Sequence, residues 1–198
     1  MSKTTASEDR EPTGRVVPVN VGRSRDWPWE GRTVRTAFLK SAAAGPVTVG
    51  ALGLAGDEVA DAVHHGGRLQ ALYAYPSEHY AYWREALGGR ELPWGSFGEN
   101  LSLEGILEGD VRPGDRLEAG HASFRVTRPR SPCFKLNVRF ARPDVLTLFA
   151  GSGRPGFYLS VEAPGQIEAD SRIVVRRSSS TGPTIRELFS RATDAGAG

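Results

Sequence analysis

The sequence predicts a mainly β fold, a barrel or sandwich with peripheral helices. Three observations predict it. Glycine and proline account for 24 and 13 of the 198 residues and recur at short intervals, as in "EGDVRPGDRLEAGHASFRV", which suits short strands joined by tight turns. Between such breaks apolar residues alternate, so that Phe124 and Val126 of "ASFRVTRP" share one face. Helical spacing of apolar residues is clear in only a few places.

Composition narrows the class further. Hydrophobic residues make up 39% and charged residues 24%, as in an ordinary globular protein with one real core. A formal net charge of +2, with the basic residues spread along the chain, argues against a nucleic-acid polymer as partner. One cysteine excludes an internal disulfide, and no apolar run approaches the roughly 20 residues of a membrane span. The opening "MSKTTASEDREPTG" lacks the apolar segment of a secretory signal, so a reducing cytoplasm is the expected location.

In chain order, residues 1–14 read as a polar, disordered tail. A β domain follows over 15–178, and residues 179–198 read as a linker and a short helix, "TIRELFSRA". "GRVVPVNVG" supplies a first strand and "RTVRTAFLK" a second, with Val34, Thr36 and Phe38 on one face. "YPSEHYAYWREALGG" is an amphipathic helix: Tyr80, Trp83 and Leu87 fall on one side, Ser77 can cap the start and Gly88 can end it. "RPDVLTLFAGSG" is a shorter helix between Pro143 and Gly151. "GFYLSVEAPGQIEADSRIVVRR" reads as two strands.

The chemistry centres on "TRPRSPCFKLN". Pro129 ends a strand and Pro132 pushes Ser131 towards an extended conformation, so Cys133 sits in a locally rigid turn. Arg128, Arg130 and Lys135 surround it, and cations favour the thiolate, which is both nucleophile and soft-metal ligand. The residues alone leave a plain packing role for the thiol open. In "HHGG", adjacent His64 and His65 face opposite ways in extended chain, so at most one serves a site. Glu99 and Asn100 of "SFGENL" follow a glycine turn and can bond backbone or ligand, while Asp57, Glu58 and Asp61 read as solvated loop carboxylates.

Taken in order, "VNVGR", "GDEVAD", "HHGG", "YPSEHYAYW", "FGENLSLEG", "GD" and "RPRSPCFKL" closely resemble the MOSC domain, the family named for the C-terminal domain of molybdenum cofactor sulfurase, in its YiiM-type subgroup. The resemblance implies a MOSC-type β-barrel and a molybdenum cofactor, a molybdopterin whose dithiolene holds the metal, with Cys133 as the protein's sulfur ligand. It further implies a molybdenum-dependent oxidoreductase that reduces N-hydroxylated compounds, such as N-hydroxylaminopurines or amidoximes, and so detoxifies N-hydroxylated bases. Arg23, Arg128, Arg130, Ser131 and Lys135 are then candidates to hold the cofactor, and Gly66 and Gly67 to let backbone approach it. His65, Glu99 and Asn100 join Cys133 as candidate catalytic residues. Where family members often read Pro-Asp after the glycine pair, this chain has Arg68 and Leu69. No flavin or nicotinamide fingerprint is present, so the electrons are expected from a separate flavoprotein, and the chain is compatible with a homodimer. Two other classes remain: a sulfur-transfer or C–S bond enzyme carrying a persulfide on Cys133, and a module that stores or delivers the cofactor.

Overall fold

A computed structural model describes residues 11–58, 66–179 and 181–195. Its centre is a closed barrel of seven strands: β1 (Thr13–Val21), β7 (Leu72–Pro76), β8 (Leu101–Glu104), β9 (Arg116–Ala119), β10 (Ala122–Pro129), β11 (Phe157–Ala163) and β13 (Arg172–Arg176). The order around the ring is β1-β13-β9-β10-β11-β7-β8, with β8 returning to β1. Every pairing is antiparallel except β7 with β8. Parallel neighbours need a long crossover. Residues 77–100, which carry helix α1 (His79–Ala86), provide it.

The first strand shows how the sequence shapes this ring. Pro18 cannot donate to a ladder, and the register of β1 against β8 shifts between Val16 and Val19. A Cβ on Gly14 would lie 2.2 Å from the Glu104 carbonyl oxygen, so only glycine lets the two strands approach there.

The remaining strands are appendages. β2 (Arg25–Trp29) and β3 (Arg32–Thr36) form a separate hairpin whose loop residues, Glu30 and Gly31, both have positive φ, the pattern of a tight two-residue turn. β4 (Ser41–Ala42) pairs antiparallel with the end of β1. β5 (Val47–Gly50), β6 (Gly53–Leu54) and β12 (Gly165–Ile167) make a small sheet that adds Val47, Val49, Leu54 and Ile167 to the barrel core.

Helices cover one side. α1, α2 (Lys135–Phe140) and α3 (Val145–Gly151) share a second apolar cluster with the outward face of β7. Strand β7 therefore serves two cores: Leu72 and Ala74 face the barrel interior, Tyr73 and Tyr75 the helical layer, and all four are buried. In that layer the Trp83 indole donates to the Tyr75 hydroxyl at 2.6 Å and lies nearly parallel to Phe149. α4 (Ile185–Ala195) opens with a capping box: the Thr184 amide donates to the Glu187 carboxylate, and the Glu187 amide to the Thr184 hydroxyl. Ile185 then enters the barrel core.

The barrel and peripheral helices were predicted, but several details differ. Residues 11–14, assigned to the tail, belong to the fold: β1 starts at Thr13, the Val175 amide donates to the Pro12 carbonyl, and Glu11 pairs with Arg176. The Ser77 hydroxyl does not cap α1; its carbonyl instead accepts the Tyr80 amide, while Gly88 and Gly89, both at positive φ, end the helix as expected. "RDWPW" is a strand, "FKLNV" lies largely in α2, and the segment from Phe157 to Arg176 holds three strands where two were expected. Among the described residues no helix is long and apolar enough to cross a membrane.

Trp83 is fully buried, so Trp83→Ala is expected to cost about 3–5 kcal/mol in urea unfolding, through the cavity left and the lost partner of Tyr75. A loss below about 1 kcal/mol, typical of surface changes, would show that the helical layer does not depend on it.

Candidate functional site

The end of β10 sets the geometry. Pro129 closes the strand, the chain turns, and the Cys133 carbonyl accepts the Leu136 amide at 3.0 Å as α2 begins. Cys133 is thereby held half-buried in the wall of a cleft of about 650 Å³, open mouth included. The segment after β3 supplies Phe38 and Lys40, the loop after β6 supplies Asp57, and Tyr73, Asn100, Arg130 and Lys135 complete the polar and aromatic lining. Gly98, also in the wall, has φ +80°, and a Cβ there would lie 2.7 Å from the Phe38 ring, so glycine lets the ring close that side.

Arg130 is only 4% exposed. Its guanidinium lies 5.0, 5.3 and 5.4 Å from the ring centres of Tyr73, Phe149 and Phe38, an aromatic cage that attracts a cation. Burial works against its charge, but Tyr73, Tyr158 and Cys133 outweigh burial and hold its pKa above the usual arginine value. One terminal nitrogen is buried with no hydrogen-bond partner among the described residues. A buried donor left without an acceptor costs about 1–3 kcal/mol.

Opposite in character is a buried polar chain. Asp57 forms an ion pair with Lys40, and the two side chains are 9% and 7% exposed. The same carboxylate accepts the Gly22 amide and the Asn100 side-chain amide, each at 2.8 Å, and Asn100 in turn accepts the Tyr73 amide. Burial lowers the Lys40 pKa, with Asp57 and Glu99 opposing. Asp57 is thus not the solvated carboxylate expected from its loop. Glu58 does stay exposed and accepts the Ser24 amide.

Of the residues singled out from sequence, Cys133, Arg130, Lys135, Asn100 and Gly66 come together in the cleft wall. Gly67 is exposed beside Gly66 at φ +80°. Arg128 is exposed and lies over the ring of Tyr158, itself a wall residue. Ser131 and Arg23 are exposed and do not line the cleft. His64, His65 and Asp61 lie outside the described residues.

Glu99 departs from its expected role. Its carboxylate is fully buried and does not line the cleft; it accepts the Tyr80 hydroxyl, the Gly95 and Phe97 amides and the Ser102 hydroxyl at 2.5–3.0 Å. Burial pushes its pKa up and these donors pull it down, with burial the larger effect. Its oxygens are committed to the loop that carries Gly98 and Asn100.

Lys40, Asp57, Phe38 and Tyr73 were not singled out as site residues, yet one signal was available. Only three of the 25 cationic residues are lysines, at positions 3, 40 and 135. The two within the described residues both line the cleft.

The model of the MOSC domain family matches residues 61–174. The chain belongs to the MOSC domain family. It is 40% identical over 185 residues to "Protein YiiM" of Escherichia coli, a match covering 90% of this chain and 73% of that one. It is 33% identical to "Reductase" of Gibberella moniliformis over 83% of this chain but only 30% of that longer protein. The crystal structure of YiiM from Geobacillus stearothermophilus superposes with a TM-score of 0.76 at 34% identity, over 93% of this chain and 85% of the other. The MOSC barrel anticipated from the sequence motifs is therefore the fold of this protein.

Glu99→Gln would set an amide nitrogen against one or more of the four donors now facing carboxylate oxygen. The expected loss is about 2–3 kcal/mol in unfolding free energy, the cost of unsatisfied buried groups. A loss below about 0.5 kcal/mol, the range of neutral surface changes, would show that the network is not what holds the loop.

Proposed function

We propose that this MOSC protein binds a molybdenum cofactor in the cleft and reduces N-hydroxylated compounds, such as N-hydroxylaminopurines or amidoximes, to the corresponding amines and amidines. The observation that carries the reading is the meeting of Cys133 with the cations Arg130 and Lys135 in the wall of one cleft. A soft thiolate suits molybdenum, and cationic side chains suit the phosphate of a pterin. The donor set therefore fits the cofactor.

Cys133 would hold the metal, with Arg130 and Lys135 on the phosphate. When bound, the cofactor would supply the two-electron chemistry that the side chains cannot perform. Phe38, Tyr73 and Tyr158 give the wall flat apolar surfaces that suit a planar substrate and exclude water. Asn100, fixed by Asp57 and the Tyr73 amide, offers an oriented edge for hydrogen bonding. A reductase is favoured over sulfur transfer because the relative that spans this domain in Gibberella moniliformis bears that name. Electrons would come from a separate flavoprotein in the cytoplasm.

Anaerobic purification from a host that makes the cofactor, followed by molybdenum and pterin quantification, is the direct test. Loaded protein given chemical reductant is expected to convert benzamidoxime or an N-hydroxylated purine to its deoxygenated product. Sulfane sulfur on metal-free protein, with no reduction by the loaded form, would replace this reading with sulfur transfer. Cys133→Ser is expected to lose molybdenum while keeping its melting temperature, because a hydroxyl fills similar space but is a hard, poorly ionised ligand. Unchanged metal content would remove Cys133 as ligand. Arg130→Met should keep the fold, since a thioether packs well among the rings of Phe38, Tyr73 and Phe149, yet weaken cofactor retention at least about tenfold by losing a charge-assisted bond. Undiminished retention at low salt would show that Arg130 does not contact the cofactor.

A further inference from the structure

We propose that Lys40 and Asp57 form the proton inlet of the cleft, with Lys40 delivering protons to the substrate and Asp57 recharging it from water on the far side of the wall. The inference rests on the reductive reading of the cleft and extends it to the protons that the reaction consumes.

Three features of the structure support it. The Lys40–Asp57 pair is in the cleft wall. Asp57 and Ala71 also line a second, open cleft against the small sheet of β5 and β6, so Asp57 stands between two water-accessible spaces. The carboxylate is fixed there by the Gly22 and Asn100 hydrogen bonds, so it keeps its place between the two clefts when Lys40 gives up its proton. The third feature is the choice of residue. The chain uses arginine for nearly all its positive charge but places lysine at position 40. Arginine can match the charge of such a pair, but lysine alone of the two can release its proton near neutral pH when buried.

The chemistry balances. In R–NH–OH the N–O bond breaks, and the electron pair supplied through the reduced cofactor leaves nitrogen and oxygen each needing one proton; the products are R–NH2 and water. Lys40 gives its ammonium proton to the departing oxygen. Once Lys40 is neutral, the Asp57 carboxylate takes up a proton from the water of the second cleft and passes it to the amine, and a second passage supplies the nitrogen. Among the described cleft residues, Arg130 and Tyr73 are poorer donors, because both have raised pKa values whereas burial lowers that of Lys40. Among the described residues, the charged and titratable groups that can influence Lys40 are Asp57, Glu58, Arg130, Cys133 and Lys135 in the cleft wall, together with buried Glu99 and the phenols of Tyr73 and Tyr158.

The experiment compares holoenzyme, Lys40→Arg and Asp57→Asn, with benzamidoxime as substrate and dithionite-reduced methyl viologen as donor. Lys40→Arg keeps a cation against Asp57, so a purely structural role predicts wild-type behaviour. The inlet predicts unchanged molybdenum content, KM within about twofold and kcat down about 100-fold, as for loss of a general acid. Asp57→Asn removes the charge that supports the Lys40 proton, so the basic limb of the kcat–pH profile moves to lower pH. A readout independent of turnover comes from protein labelled with 15N-lysine, in which only three side chains contribute. The resonance lost in Lys40→Arg should titrate below ordinary lysine, and lower still in Asp57→Asn. Full kcat in Lys40→Arg, or ordinary titration of Lys40, overturns the inlet while leaving the reductase standing. A loaded wild-type protein that reduces no N-hydroxylated compound overturns the reductase reading and the inlet with it.

Discussion

Strand β7 has no solvent face, and most of the architecture depends on that constraint. Leu72 and Ala74 are committed to the barrel interior, Tyr73 and Tyr75 to the helical layer. A one-residue slip would put tyrosine hydroxyls among aliphatic side chains and small residues where the layer needs rings. Each hydroxyl has its own partner outside the barrel: Tyr73 donates to the Pro155 carbonyl and Tyr75 receives the Trp83 indole. Those bonds fix the register of β7, and β7 in turn carries the Tyr73 ring that faces Arg130. Packing, register and the cleft wall are one problem solved together.

The polar groups around the cleft divide by how completely they are satisfied. Glu99 accepts four donors, and Asp57 accepts an ammonium and two amides. Glu108, below the helical layer, holds His79 and the Gly156 amide. Among these buried groups Arg130 has a terminal nitrogen without a partner. A low dielectric strengthens every such bond and penalises every unmet one, so Arg130 is where the polar network around the cleft stays incomplete.

The barrel, α1, α3 and the turn carrying Cys133 were legible because each rests on local pattern: alternation, helical spacing, and two prolines just before the cysteine. Strand β2 was not, because Pro28 argues against a strand and only the hairpin partner β3 overrides it. Helix α2 is too short for a period to show, and it forms because Leu136 and Phe140 find the aromatic layer. Asp57 and Glu99 look alike in sequence, each beside turn residues. What separates a proton-handling carboxylate from a loop anchor is which distant groups meet it: Lys40 and Gly22 in one case, Tyr80 and Gly95 in the other. Such long-range meetings have no local signature. The resemblance to the family located the cysteine and the cations around it, but the lysine across the cleft lies outside every motif that carried it.

The scarcity of lysine has a practical side. Outside the first ten residues, the primary amines of side chains occur at positions 40 and 135 alone, and both border the same cleft. Arginine-rich surfaces do not react with acylating agents under mild conditions, because the guanidinium keeps its proton. An activated ester therefore becomes, on this protein, a reagent for the cleft and the N-terminal segment. Half-buried Lys135 and deeply buried Lys40 differ in access, so the rate at which each is acylated, with and without an occupant, turns ordinary amine chemistry into a gauge of how the cleft is filled.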